Sequence, residues 1–244
     1  MKTRLILICI TFVITVSTFA QDKAKNFIGF TVGASIPLGD FAKSETGAFN
    51  NWNNSAGFAK TGVAVGVEGA YYFLRKIGLG GTIYFSDHGG FSKSDVAKLG
   101  DSYTDAFGVD ESTVSTTGRY RSLNVMVGPY FSFPMNKFTV DVRLMGGLLK
   151  SFSTPEMTVQ LEDNTESKFT QASSTSSAFG WQAGAGLRYS LTDKIGLVFR
   201  ADYFSSSGVT VDNENRTNSA GRMVTKQPIS WVNSSIGISF PLGK

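Results

Sequence analysis

A period of two between apolar and polar positions runs through residues 27–37. The apolar positions alternate with small or polar ones, and they are Ile28, Phe30, Val32, Ala34 and Ile36. Because successive side chains of a β-strand point to opposite faces, this period predicts a strand with one apolar face. The same pattern recurs in residues 61–73, 77–86, 122–133, 138–149, 179–191, 195–204 and 229–240, so we predict eight strands.

The connections between these strands are alternately short and long. Three tight turns join strand pairs at residues 74–76, 134–137 and 191–194. The long connections are rich in Ser, Thr, Asn, Asp and Gly, and they are residues 38–60, 87–118, 150–178 and 205–228. Short periplasmic turns and long external loops are typical of outer-membrane barrels, and closure of the sheet removes unpaired edges. We therefore predict an all-β fold, an eight-stranded antiparallel up-and-down transmembrane β-barrel.

The alternation alone leaves open which face of the barrel is inside. A soluble barrel of the lipocalin type would bury the apolar face. Against that alternative, the polar face is mostly Gly, Ser, Thr and Ala, and aromatic residues lie near strand ends on the apolar face, as in interfacial girdles. The periplasmic candidates are Tyr71, Phe73, Phe131, Phe133, Phe138, Tyr189 and Phe240, and the outer candidates are Phe85, Phe179, Trp181 and Tyr203.

Charged residues within the predicted strands all lie on the polar face. They are Glu68, Asp141, Arg143, Arg188, Arg200 and Asp202. An Arg or Lys facing lipid at the bilayer midplane would cost about 2–4 kcal/mol, so the polar face must be the lumen. Eight strands enclose an interior just wide enough for side chains, and Arg and carboxylates pair there in bidentate geometry. We predict a salt-bridge network that plugs the lumen, with a conducting pathway as the alternative.

The start of the chain predicts export. Lys2 and Arg4 precede an apolar run over residues 5–16, and small residues end at Ala20. This pattern predicts a signal peptide over residues 1–20, cleaved between Ala20 and Gln21, followed by a barrel domain over residues 21–244. The apolar run is shorter than the ~20 residues that a membrane-spanning helix needs.

Composition narrows the functional classes. Charged residues make up 17% of the chain, below the roughly 25% of ordinary soluble domains, and this argues against disorder. The single cysteine, Cys9, excludes a disulfide framework and a cysteine-rich zinc site. No Lys/Arg cluster accompanies the high isoelectric point, so nucleic acid is not a predicted partner.

Two features could carry chemistry. His88 is the single histidine, near the outer end of the third predicted strand, where barrel enzymes place a catalytic base. The neighbouring Asp87 would point to the opposite face, so we expect a solvated loop histidine instead. The second long loop holds acidic residues without the spacing of a calcium loop, and we expect them to be solvated: Asp95, Asp101, Asp105, Asp110 and Glu111. No cofactor motif is present.

Glycine and aromatic residues recur together in four of the predicted strands, in residues 29–33, 69–73, 184–189 and 235–240. With these segments the chain resembles the small outer-membrane β-barrel domain family, which includes OmpA/OmpX-like and PorT-like barrels. The resemblance implies a location in the outer membrane and contact with membrane lipid, lipopolysaccharide and the outer-membrane assembly machinery. It says little about activity, because function is set by sites rather than folds.

We therefore expect a non-enzymatic barrel that acts as an envelope structural or interaction protein, in adhesion or secretion. Its extracellular or envelope protein partner would contact the four long loops, since loops on a rigid scaffold usually carry function. Two alternatives stay open: a small pore or transporter for small solutes, and an enzyme that modifies lipid or peptide at the outer rim with His88.

Overall fold

A computed structural model describes residues 23–44, 56–162, 168–215 and 223–243. The predicted signal peptide and its cleavage site between Ala20 and Gln21 lie outside the described residues. Within these residues the helices are α1 (Gly39–Ala42) and α2 (Lys93–Phe107). The strands are β1 (Asn26–Pro37), β2 (Gly62–Tyr72), β3 (Ile77–Asp87), β4 (Ser112–Thr117), β5 (Arg121–Met135), β6 (Phe138–Ser153), β7 (Glu156–Leu161), β8 (Lys168–Gln171), β9 (Ser177–Ser190), β10 (Gly196–Ser206), β11 (Val209–Asn215), β12 (Met223–Gln227) and β13 (Ser230–Leu242).

Eight of these strands form a closed antiparallel barrel in the order β1-β13-β10-β9-β6-β5-β3-β2. Each barrel strand pairs with the barrel strand that follows it in the sequence. The first and last strands, β1 and β13, also pair and so close the sheet, with Phe30 opposite Ile238. These are the eight strands that the alternation predicts, with ends that differ by only a few residues. The predicted fold class is therefore confirmed.

The long connections contain regular structure that the sequence did not predict. Strands β12-β11-β8-β7-β4 form a second sheet, built from the connections after β3, β6 and β10. The strands are short and mostly polar, as in Ser112–Thr117, so no apolar period distinguishes them from loops. Their pairing depends on contacts between segments far apart in the chain. We call this five-stranded sheet the outer sheet.

Helix α2 also replaces a predicted loop. Ser92 and Asp95 form a capping box at its first turn, and Gly108 ends it in the left-handed conformation with φ 61°. The helix packs against β4, where the Ser112 hydroxyl donates to the Gly100 carbonyl at 2.7 Å. Within the described residues, no helix is long and apolar enough to cross a membrane.

The two faces of the barrel differ in chemistry. Apolar side chains on the outer face are open to the surroundings, and Leu148 for example is 59% exposed. The predicted girdle residues all lie on this face, including Tyr71 and Phe179, which are 66% and 60% exposed. The six predicted lumen charges are all buried. An apolar exterior around a polar interior is the reverse of a soluble barrel, and it is the arrangement that a bilayer requires.

Replacing Val65 or Leu144 with Arg tests this assignment of faces. Both side chains lie on the outer face near the middle of their strands and are 44% and 55% exposed. Because each Arg would face hydrocarbon, we expect the free energy of unfolding in lipid to fall by about 2–4 kcal/mol. Urea unfolding of the refolded barrel in vesicles measures the loss.

Thr113→Arg is the matched control for these variants. Thr113 is exposed on the outer sheet, so the same charge should change the free energy of unfolding by no more than about 0.5 kcal/mol. Equal losses in the control and in the barrel variants would contradict the assignment of faces.

Candidate functional site

The lumen holds a continuous chain of ion pairs in which acids and arginines alternate. Each member pairs with the next in the order Asp202, Arg143, Glu68, Arg200, Asp141 and Arg188. We call this set the ion chain. Arg143 lies between two acids: its Nε and Nη2 donate to the two oxygens of Asp202 at 2.8 and 2.7 Å, and its Nη1 donates to Glu68.

The second half of the ion chain repeats this arrangement. Arg200 donates from Nε to Glu68 Oε1 at 2.9 Å and from Nη1 to Asp141 Oδ2 at 2.7 Å. Arg188 is the last member of the ion chain. Its Nε and Nη2 donate to the two oxygens of Asp141 at 2.7 and 3.0 Å. The structure therefore brings all six predicted residues together, and three acids balance three arginines. Bidentate pairs of this kind are stronger and more directional than single contacts.

Side chains that the sequence analysis did not single out complete the periplasmic part of this network. Ser132 donates to Asp141, and the Tyr72 hydroxyl bonds to Ser132. The Arg188 guanidinium lies 3.9 Å from the centre of the Phe27 ring, a cation–π contact. The alternation of faces along a strand would have predicted that these side chains point into the lumen, since each lies an even number of positions from a lumen-facing residue.

Two glycines of β9 make room for the ion chain. A Cβ at Gly184 would overlap Asp202 Oδ1, and a Cβ at Gly186 would overlap Arg200 Nη1. Both glycines face the lumen, directly opposite the charged residues of β10, with Asp202 paired to Gly184 and Arg200 to Gly186. The narrow interior therefore accepts the large charged side chains of Arg200 and Asp202 because the two positions opposite them on β9 have no side chain.

An aromatic cluster closes the outer mouth of the lumen. Phe41, on the single turn of α1, is 1% exposed and packs against Tyr120 with ring centres 4.9 Å apart. In the same cluster, the rings of Trp231 and Phe204 stack with their centres 4.4 Å apart. The turn is fixed by backbone bonds, from Leu38 N to Ser230 O at 2.9 Å and from Ala59 N to Phe41 O at 3.0 Å. The first long connection thus inserts a side chain into the barrel.

His88 belongs to this buried cluster, so the expectation of a solvated loop histidine is wrong. The side chain is 1% exposed, and its Nε2 shares a hydrogen bond of 2.8 Å with the Ser35 hydroxyl. Its ring centre lies 5.1 Å from that of Phe41 and 5.0 Å from that of Trp231. Burial lowers the pKa of His88 from 6.5 to about 4, so the imidazole is neutral at pH 7.

Asp87 does not orient His88. Its carboxylate accepts instead from Arg119 Nε at 2.9 Å, Arg121 Nε at 3.2 Å and Gly89 N at 3.0 Å. The Ser35–His88 pair therefore has a hydroxyl and a base. The carboxylate of Asp87, however, pairs with two arginines at the rim of the barrel and not with His88.

The acidic residues of the second long loop are not all solvated as expected. Asp95 is 4% exposed, caps α2 and pairs with Lys60 Nζ at 2.7 Å. These contacts hold the pKa of Asp95 below its usual range. Asp101, Asp105, Asp110 and Glu111 are exposed as predicted. Among the described residues, no group of three or more His, Cys, Asp or Glu side chains could hold a metal ion.

A family model for the outer membrane protein beta-barrel domain matches residues 6–224. The chain belongs to this family. As a member, it is a protein of the outer membrane and lies among membrane lipids, and the predicted location and family are confirmed. No curated protein matches the sequence.

Solved barrels resemble the chain in fold. Ail of Yersinia pestis is 12% identical with a TM-score of 0.43, covering 90% of this chain and 100% of Ail. A major outer membrane protein of Thermus thermophilus is 13% identical with a TM-score of 0.46, covering 89% of this chain and 99% of that protein. OprG of Pseudomonas aeruginosa is 14% identical with a TM-score of 0.38, covering 91% of this chain and 98% of OprG.

Breaking the ion chain at Arg143 should destabilise the barrel strongly. Arg143→Met takes the bidentate partner from buried Asp202 and one partner from Glu68, and we expect a loss of about 3–5 kcal/mol in the free energy of unfolding. Adding Asp202→Asn removes the uncompensated charge, so the double variant should recover part of that loss. Urea unfolding in micelles measures both variants. A double variant less stable than Arg143→Met would contradict the pairing.

The burial of His88 predicts a pH dependence. Its folded pKa, about 4, lies below the unfolded value of 6.5, so between these values the unfolded chain binds a proton that the folded chain does not. The free energy of unfolding should therefore fall as the pH drops from 6.5 to 4, by about 3 kcal/mol from this residue. His88→Gln keeps a polar partner for Ser35 but does not titrate. Unfolding midpoints at both pH values measure the difference, and parallel profiles for wild type and variant would contradict it.

Proposed function

We propose that the protein is a non-enzymatic interaction protein of the outer membrane, which contacts an extracellular or envelope protein through its outer sheet. One observation carries the proposal: three of the four long connections are folded together into a single sheet beyond a barrel whose lumen is filled. A barrel with a purely structural role in the membrane would not need a folded sheet outside it. Function in barrel proteins usually resides in such loops on a rigid scaffold.

The outer sheet has the properties of a recognition surface. It is internally connected, since β7 pairs with both β4 and β8, and β8 pairs with β11. Val159 is fully buried within it, and α2 packs on its β4 edge. Strand β4 exposes Thr113, Ser115 and Thr117 on one face, and such hydroxyls bind partners by hydrogen bonds. A pre-formed surface of this kind loses less conformational entropy on binding than a flexible loop.

The filled lumen opposes the alternative of a small pore. The ion chain spans the barrel interior with balanced charge, and the aromatic cluster around Phe41 closes the outer mouth. Side chains of an eight-stranded barrel fill its interior, as they do here. We therefore expect no stable conductance in planar bilayers, and a stable conductance that changes in Arg143→Ala would favour a pore.

The alternative of an enzyme at the outer rim needs accessible reacting groups. Ser35 is 0% exposed and His88 is 1% exposed, beneath the ring of Phe41. A substrate at the rim would therefore meet neither group. The buried pair is better explained as a hydrogen bond that satisfies two polar groups inside the barrel mouth.

Removing residues 91–117 tests the proposed function. The segment carries α2 and β4, and its ends adjoin, because a Cβ at Gly90 would overlap the Gly118 carbonyl oxygen. Backbone bonds from His88 N to Tyr120 O and from Tyr120 N to Gly89 O hold the base of the connection at 3.0 and 2.8 Å. We therefore expect the shortened barrel to keep its heat-modifiable mobility.

Partner capture should be lost in the shortened barrel. Crosslinking on intact cells, followed by purification of the barrel, measures the captured proteins in wild type and variant. The control variant Leu144→Ala alters the lipid-facing surface and should leave capture unchanged. An identical set of captured proteins after the deletion would overturn the role of α2 and β4.

A further inference from the structure

A groove opens on the lipid-facing surface of the barrel, toward the end with the short turns. Its volume is about 610 Å³, and it lies across β1, β2, β3 and β5. Outward-facing side chains form its walls, and these are Ile28, Val67, Tyr71, Leu79, Ile83 and Val125. The ion chain and the outer sheet are not needed to explain it, and the short-turn end of such barrels is periplasmic.

The groove exists because two glycines face each other on the outer surface. Gly69 and Gly81 are direct partners across β2 and β3, so two neighbouring positions of the apolar face have no side chain. Next to them stand Tyr71 and Leu79, which are themselves partners and are 66% and 55% exposed. The result is a recess one side chain deep, open to the bilayer.

Packing of the strands requires glycine at only one of the two floor positions: a Cβ at Gly69 would lie 2.9 Å from the Phe27 carbonyl oxygen, whereas position 81 has room for a side chain. A Cβ at Gly81 would meet only the Met126 carbonyl oxygen, at 3.5 Å, which is an ordinary contact. The lumen-facing Gly66 differs, because a Cβ there would lie 2.5 Å from the Tyr84 ring. Gly81 keeps the recess open without serving the barrel interior.

Cations cluster at the periplasmic rim on the same side of the barrel. Lys23 and Lys25 precede β1, and Arg75 and Lys76 lie in the turn between β2 and β3. The two segments adjoin, since Ala24 N donates to Arg75 O at 2.8 Å. The other two short turns carry Lys137, Asp193 and Lys194, so the excess of positive charge lies on the side of the groove.

We propose that this groove and its basic rim bind one anionic phospholipid of the periplasmic leaflet. An acyl chain lies in the recess over Gly69 and Gly81, between the walls of Val67 and Tyr71. The phosphate lies against Arg75 and the neighbouring lysines, where guanidinium and ammonium groups form charge-assisted hydrogen bonds with phosphate oxygens. A lipid has both the apolar chain and the negative headgroup that this pair of features complements, and a free phosphate has only one of them.

Native mass spectrometry of the barrel, released from detergent micelles that contain phosphatidylglycerol, tests the proposal. We expect one lipid to remain bound to the wild-type barrel. Gly81→Leu fills the recess and should weaken retention about tenfold, the loss expected from displacing roughly two buried methylene groups. Gly146→Leu is the matched control: Gly146 also faces lipid, and a Cβ there makes an ordinary contact at 3.5 Å with the Phe179 ring. Equal retention in both variants would overturn the proposal.

The headgroup is tested by variants in the short turns, outside the strands, where we expect substitutions to leave barrel formation intact. Arg75→Gln with Lys76→Gln should weaken retention of phosphatidylglycerol, whereas Lys137→Gln with Lys194→Gln should leave it unchanged. Retention of zwitterionic phosphatidylcholine should be weaker than that of phosphatidylglycerol in wild type and insensitive to both pairs. Loss of binding in the cation variants alone, with Gly81→Leu unaffected, would indicate a surface phosphate contact and overturn the groove as a lipid site.

Discussion

Backbone hydrogen bonding within hydrocarbon is the constraint on which the rest of the structure depends. An unpaired backbone amide in a bilayer costs several kcal/mol, so a sheet can span the membrane only when it has no edge. The pairing of β1 with β13 removes the last edge, over twelve residue pairs from Asn26 to Pro37. Once the sheet closes, each residue's parity along its strand decides whether it meets lipid or lumen.

Closure creates a second problem inside the barrel, which the ion chain solves. Eight strands enclose an interior that side chains fill, so each charged group there needs its partner among the others. Alternation along the chain gives Arg143 and Arg200 two acids each, and Ser132 and Tyr72 extend the network at the Asp141 end. Buried ion pairs contribute little net stability compared with apolar packing, but a one-residue slip of β2, β6, β9 or β10, the strands that carry them, would break them. We infer that the ion chain fixes the register of these four strands.

The predictable part of this structure is the part that obeys a local period. Strand positions follow from alternation, and the lumen position of Glu68 or Arg143 follows from parity with its neighbours. The order of partners in the ion chain does not follow, since it depends on the stagger between strands and on the space left by Gly184 and Gly186. The outer sheet was missed because its pairings join distant segments with no apolar period. His88 was misplaced because its burial depends on Phe41, which a different connection brings over it.

Glycine has different roles on the two faces of the barrel: it makes room for other side chains in the lumen, and it shapes the surface that faces lipid. On the lumen face, Gly184 and Gly186 are glycine because a charged neighbour occupies the space of a Cβ. On the lipid face, a Cβ at Gly81 would make only an ordinary contact, so the small size of this residue serves the surface rather than the fold. A lumen filled by side chains favours the outer ends and the lipid-facing wall of a barrel for contact with other molecules. Features of those surfaces that folding does not explain are therefore where the activity of such a protein must be sought.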